Sequence, residues 1–274
     1  MVEIYKKLDW TPTGKVAVKL PTGEPPASNY LSPSLIKDVV QLVNGTIVEC
    51  NTAYGGSRVA TEEHYQVAKD HGFTEIAPFQ IQDEEGSLII PIEGGTRLHE
   101  NYVGKAFPDY DSYLILSHFK GHVMAGFGGA VKNISIGLAS SEGKCLLHTG
   151  GLSHTTMQGG EQIAFLESMG DAAKSVSDYL GHGERIVYIN VMNRLSIDCD
   201  CDGHPAEPEI GDVGILASHD PVALDQACLD LVWVSEGNKT FVDRVNQRQG
   251  IKTLENAEAI GLGVRKYQLV NISK

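Results

Sequence analysis

The hydrophobic positions of this chain fall into short continuous runs separated by segments of helical spacing, a pattern that predicts strands and helices in turn. "KVAVKL" (15–20) reads as a buried strand, because apolar β-branched residues follow one another with little interruption. "SPSLIKDVVQLVN" (32–44) has a capping Ser, an early Pro and apolar residues at helical spacing. "GTIVECN" (45–51) returns to the strand pattern, so the three segments predict a βαβ unit with a parallel pair and a right-handed crossover. A second helix is expected over about 59–71, closed by Gly72.

Short strands with turns at "DEEG" and "EGGT" are expected over 75–101, followed by strands at "DSYLILS" (111–117), "RIVYINVMNRLSI" (185–197) and "DVGILAS" (212–218). Helices are expected at about 160–180, at 220–234 with Asp220 as cap and Pro221 in the first turn, and near 238–248 and 252–260. A closing strand, "YQLVNIS" (267–273), completes the pattern. Alternating strands and helices define the fold class as α/β, a largely parallel mixed sheet flanked by helices. The length of 274 residues suits a single α/β domain over 1–274; two lobes, about 1–105 and 106–274 with a site between them, stay open. Ligands of such sheets bind outside the carboxyl ends of the strands, which selects the loops after 20, 51, 117, 197 and 218.

Charge narrows the partners. A formal net charge of −13 repels phosphate backbones, so nucleic acid is not expected, while a local basic pocket could still take a small anion. No apolar stretch approaches the roughly 20 residues of a membrane span, so no membrane partner is expected. The first residues, "MVEIYKKLDW", lack the apolar region of a secretory signal, and a cytoplasmic location is the expectation. Five cysteines, an odd number, argue against a disulfide framework; Cys50 and Cys228 read as small core residues. The oligomeric state is not legible.

The densest chemistry lies in "SHFKGHVMAGFGGAVKN" (117–133). His118 and His122 are four apart, a metal-ligand spacing on a helix, but Gly121 and the preceding strand favour a loop. Gly126, Gly128 and Gly129 let backbone N–H groups approach a ligand, and Lys132 adds charge beyond them. The stretch matches neither a phosphate-binding nucleotide loop nor a dinucleotide fingerprint. "YGGSR" and "EGGTR" put Arg58 and Arg97 after tight turns; Arg58, after a strand end and before a helix, is the better carboxylate or phosphate ligand. In "DCDCDGH" (198–204) an extended chain would project Cys199 and Cys201 to one face and the three aspartates to the other, a thiolate pair, with His204 nearby, suited to a soft or borderline metal whose remaining ligands would come from His118, His122 or His148. His148, His154, Lys120 and Lys144 complete the titratable candidates. Packed thiols, satisfied histidines and solvent-exposed turns are the plainer alternatives for each motif.

These motifs, with "NTAYGGSR…EEHYQVAKDHGF" upstream and "CDCDGHP…IGDVGILASHDPVALDQACLDLV" downstream, resemble the family called domain of unknown function 362, the iron–sulfur centre protein group, from about Lys15 to Gly263. Many members carry an inserted ferredoxin-type module after the "GK…H" segment. Here residues 149–184 contain no cysteine, so the resemblance does not bring 4Fe–4S clusters with it. What it implies is an α/β core in which His118, Lys120, His122, Lys132, His148, Cys199 and Cys201 match the family pattern. That core is similar in architecture to the nickel-pincer lactate racemase group, an analogy that transmits no function by itself.

Two functional readings follow. In the first, an enzyme positions a small anionic metabolite with Arg58, Lys120, Gly128, Gly129 and His148, uses His118, Lys132 or His122 as acid or base, and holds a transition metal (Fe, Zn or Ni) on Cys199, Cys201, His118 and His122. In the second, the chain is a non-catalytic metal- or ligand-binding remnant of an iron–sulfur protein. Titratable groups converging in one pocket would favour the first.

Overall fold

The computed structural model describes residues 1–272. A six-stranded sheet carries the chain. Its strands are β1 (Val16–Lys19), β2 (Thr46–Glu49), β3 (Phe79–Ile81), β6 (Ser112–His118), β9 (Ile186–Met192) and β10 (Gly214–Ser218), in the order β10-β9-β6-β1-β2-β3. All neighbours are parallel except β10, which runs antiparallel to β9 with Ala217 opposite Ile189. The expected βαβ unit is present: α2 (Pro33–Leu42) links β1 to β2, and Val18 pairs with Ile47. Ser32 stands at the N-cap of α2, but its hydroxyl meets Ser34 rather than a backbone N–H.

Strands buried on both faces need mostly apolar residues, and the central strands supply them. Val16, Val18, Leu114, Leu116, Val187 and Ile189 face one layer, where α1 (Val2–Lys7) contributes Tyr5 and α2 contributes Ile36 and Val39. Ala17, Tyr113, Ile115 and Tyr188 face the other. That second layer is built from α4 (Ala130–Ser135), α6 (Gln162–Tyr179) and α7 (Pro221–Val234), through Ile134, Val176 and Leu229. Three strands of the sheet come from within 1–105 and three from within 106–274.

Smaller elements surround this core. α3 (Thr61–Asp70) is followed by Gly72 in a left-handed conformation, φ 82°, as the sequence pattern requires. Hairpin β4 (Ser87–Pro91) and β5 (Glu100–Gly104) occupies the region of predicted short strands. A second hairpin, β7 (Lys120–His122) and β8 (Gly126–Gly128), follows β6 directly, and α5 (Ser141–His148) follows α4. Asp220 caps α7 by accepting from the N–H groups of Val222 and Ala223. Helices α8 (Lys239–Gln247) and α9 (Ile251–Ala259) match expectation.

Two expectations are corrected. The strand predicted to reach 197 stops at Met192, because the chain turns through Arg194 at φ 47°. No strand forms over 267–272, where the apolar side chains lie exposed with no sheet edge beside them; Ser273 of that prediction lies outside the described residues.

Candidate functional site

The sheet reverses its direction of growth between β1 and β6: β2 and β3 extend from one side, β9 and β10 from the other. Crevices form at such a switch point beyond the carboxyl ends of the strands. Here the crevice is a cavity of about 330 Å³ lined by Lys19 and Glu49 at the ends of β1 and β2, by the segment after β6, by α4 and α5, and by Cys199–Cys201. The loops after 20, 51, 117 and 197 thus meet as the sheet rule predicts. The loop after 218 does not, since antiparallel β10 ends at the opposite edge, where His219 bonds the Leu8 carbonyl.

Strand periodicity presents the chemistry. His118, Lys120 and His122 are two residues apart and all line the cavity, while Phe119 between them packs in the core. Gly121, the other intervening residue, admits the Ile197 backbone: an added Cβ would lie 2.3 Å from the Ile197 carbonyl oxygen. The segment expected as a loop is therefore a strand end plus a hairpin strand. The alternation of His118, Lys120 and His122 with Phe119 and Gly121 was the signal that could have shown it.

The lining carries five basic side chains, Lys19, Arg58, Lys120, Lys132 and Lys144, against two carboxylates, Glu49 and Asp200. Four of the five are engaged. Lys19 lies 2.9 Å from Glu49 and 3.1 Å from the Asn133 side-chain oxygen. Arg58 pairs with Glu24 at 2.9 Å and Glu49 at 3.6 Å and donates to the Tyr54 hydroxyl. Lys120 pairs with Asp200, and Lys144 donates to the Ala139 carbonyl at 2.5 Å. Lys132, half-buried on α4, has no hydrogen-bond or ion-pair partner among the described residues.

Titration follows from that pairing. Burial would raise the Glu49 carboxyl, but Lys19 foremost and Arg58 outweigh it and hold it at about 2. Burial would likewise raise Asp200, and Lys120 with His118 pulls it below the usual carboxylate range. Lys19 and Lys120 are lowered by burial against the pull of their carboxylates. Lys132 has no carboxylate in contact: burial, then the nearby Lys120 and Lys19 charges, outweigh the weaker pull of Asp200 and bring it down to about 7.

The histidines divide by role. His118 has both ring nitrogens on acceptors, Asp200 at 2.9 Å and the Asn193 carbonyl at 2.6 Å, so neither lone pair is left to ligate or take a proton. In this structure the ring serves to hold Asp200. His122 accepts at Nδ1 from the N–H groups of Met124 and Ala125, at 3.1 and 2.9 Å, so it presents Nε2–H as a donor. Burial and neighbouring Lys132 push its pKa well down and keep the ring neutral. His148 is the reverse: Nδ1–H donates to the Lys144 carbonyl at 2.6 Å, the ring stacks on Phe165, and burial brings its pKa to about 4. The Nε2 lone pair of His148 is thereby free.

The remaining candidates resolve as follows. Arg58 is buried and lines the cavity from the loop before α3, but its fork is taken by glutamates rather than left for a ligand. Arg97 lies exposed outside the cavity, paired with half-buried Glu167, and its turn serves Asp171, which accepts from the N–H groups of 96, 97 and 98. Gly128 and Gly129 line the cavity. The N–H groups of Ala130 and Val131 beyond them are spent on Asp225, at 2.7 and 3.0 Å, rather than on an anion cradle. Asp200 turns inward between the two cysteines, so 198–202 is a turn, and the projection to opposite faces that an extended chain would give does not arise.

Donors suited to a soft or borderline metal are gathered in one place: a ring nitrogen of His122 and the sulfurs of Cys199 and Cys201 lie within 4.8 Å of one another, with His118 outside the group. In this state the set does not fit a resident ion. A coordinating sulfur must be a thiolate, and these two are joined in a disulfide. A metal-bound imidazole donates its second ring N–H outward, whereas His122 accepts there.

The molecule is thus an α/β protein with a basic cavity at its topological switch point. Residues 16–230 match the model of the domain of unknown function 362, and the chain belongs to that family. Its fold is similar to the lactate racemase apoprotein from Thermoanaerobacterium thermosaccharolyticum, at 15% identity over 84% of this chain and 54% of that one, with a TM-score of 0.48. It is also similar to a Thermotoga maritima protein of known structure, at 11% identity over 94% of this chain and 58% of the other, TM-score 0.44. The chain spans little more than half the length of either. Among curated proteins none matches in sequence. Among the described residues, no helix is long and apolar enough to cross a membrane.

Proposed function

We propose that the cavity binds a small organic anion and that Lys132 exchanges a proton with it as an acid or base. The observation that carries this reading is the unpaired Lys132 ammonium among four engaged cations, in a cavity with three more basic groups than carboxylates. A desolvated lysine near neutrality attracts an anion when charged and accepts a proton when neutral. The His122 Nε2–H and the His148 lone pair supply a donor and an acceptor to orient the bound molecule. The alternative of a non-catalytic remnant needs ligands but no poised group, and leaves the environment of Lys132 without a purpose.

Thermal denaturation with oxalate, citrate or inorganic phosphate tests the reading. An anion held 100-fold above its Kd stabilises by about 2.7 kcal/mol, which in a chain of this size raises Tm by about 5–10 °C. At least one of the three is expected to do so with the wild-type chain and to lose most of the effect in Lys132→Met. No shift with any of them, or an equal shift in the variant, would remove Lys132 from the site.

A further inference from the structure

A disulfide between cysteines two positions apart encloses almost no chain. Cross-links stabilise through the unfolded state in proportion to the loop they close, and the Cys199–Cys201 bridge closes around one residue, Asp200. Stapling therefore does not account for it. Both cysteines line the same cavity as the basic side chains; Cys50 lines it too, but it is buried and its thiol donates to the Leu138 carbonyl, and Cys145 and Cys228 lie buried outside it.

The two sulfurs are not equivalent. Cys199 is buried at 5% exposure and Cys201 is half-buried, so an incoming group reaches Cys201 first. The backbone N–H of Cys201 lies 3.2 Å from Cys199 Sγ and donates to it. Donors and nearby cations favour a thiolate, and the Lys120 ammonium sits on Asp200 between the two cysteines. His122 has a ring nitrogen within 4.8 Å of both sulfurs, and with Nδ1 accepting from two backbone N–H groups the ring carries its proton on Nε2. Buried Cys199 is thus prepared to leave as a thiolate, and Cys201 to be attacked.

We propose that Cys199 and Cys201 form a reversible dithiol/disulfide couple that exchanges with a small carboxylate-bearing thiol admitted to the cavity. The choice of an anionic thiol rests on the anion reading above; the exchange itself does not. The substrate thiolate attacks Cys201 Sγ, a mixed disulfide forms, the Cys199–Cys201 bond breaks, and Cys199 leaves as a thiolate held by the Cys201 N–H. A second substrate thiolate attacks the substrate sulfur of the mixed disulfide, and Cys201 leaves in turn. Two electrons pass to the protein, the substrate departs as its own disulfide, and the two protons lost by the substrate thiols end on Cys199 and Cys201. The reverse direction reduces the anionic disulfide.

The test uses the full chain with glutathione as the carboxylate-bearing thiol and cysteamine as a cationic one, read by intact mass and peptide mapping. In the oxidised wild type, glutathione is expected to free both cysteines and release glutathione disulfide. With glutathione disulfide, Cys199→Ser should trap a mixed disulfide on Cys201, and Cys201→Ser should react at buried Cys199 at least tenfold more slowly. If a single variant fails to fold, limited alkylation of the reduced wild type, with Cys201 modified before Cys199, decides the same point. A wild-type bridge that neither thiol opens, or a pair purified as thiolates on one equivalent of zinc or iron, overturns the couple. Opening by glutathione at least tenfold faster than by cysteamine at equal thiolate concentration, lost in Lys132→Met, supports the anionic substrate. Equal rates keep the exchange and overturn the anion reading alone.

Discussion

An ammonium group partly withdrawn from water, with no carboxylate in contact, gives up its proton more readily than one in solution. Lys132 is in that position, and its pKa of about 7 has a sign that can be tested. The folded pKa lies below the unfolded one, so between about pH 7 and the ordinary lysine range the unfolded chain binds a proton that the folded chain does not. The cost of burying the charge is present in full below about 7 and is relieved as pH rises above it. A bound anion reverses the balance by favouring the charged form. Anion affinity is therefore expected to weaken by up to about tenfold per pH unit above 7, with uptake of close to one proton per anion at pH 8. Calorimetry in two buffers of different ionisation enthalpy measures that uptake, and no uptake would mean that the anion does not meet Lys132. At this scale the sequence displayed the residues that break their context, the histidines and lysines around glycine and the paired cysteines. It concealed Lys19 and Glu49, single charges inside apolar strand runs, since each is satisfied by a partner from another strand. Asp200 was similarly hidden, because its partners His118 and Lys120 lie 82 and 80 residues away.

Elements legible from pattern alone were those with many repeats of their period: α2, α6 and α7, and the buried strands. The short ones beside the cavity were not. Helix α4 has six residues, follows two glycines and is held from outside by Asp225, a residue of α7. Asp225 also accepts from Asn190 at 2.7 Å, and burial raises its pKa to about 6 in spite of these donors. No local window contains that arrangement. Asp225→Ala would leave the N–H groups of Ala130 and Val131 and the Asn190 amide without acceptors in a buried place, and a loss of about 2–4 kcal/mol in urea unfolding is expected. Gly129→Ala should act in the same direction, since its Cβ would lie 2.3 Å from an Asp225 carboxylate oxygen. A variant as stable as wild type would show that α4, and with it Lys132, is held by something else.

Across the whole molecule the order of strands explains where the cavity lies, and that order was only half legible. Parallel pairing followed from the alternation of strands and helices; the reversal of β10 did not, because a buried run reads the same in either direction. The sheet draws strands from both 1–105 and 106–274, so its two sides should unfold together. Trp10, whose indole N–H donates to the Glu184 carbonyl across the two parts, and Trp233, in the second, give two probes, and urea transitions followed through each, in Trp233→Phe and Trp10→Phe respectively, are expected to coincide with one another and with circular dichroism. Separated midpoints would divide the chain into two folding units. A final consequence follows from placing basic groups inside a chain whose net charge is −13. An anion outside meets a repulsive field before it meets an attractive one, so arrival is slowed and departure is slowed as well. Added salt should therefore speed both steps, and the cavity would select its guest by how long it stays rather than by how often it calls.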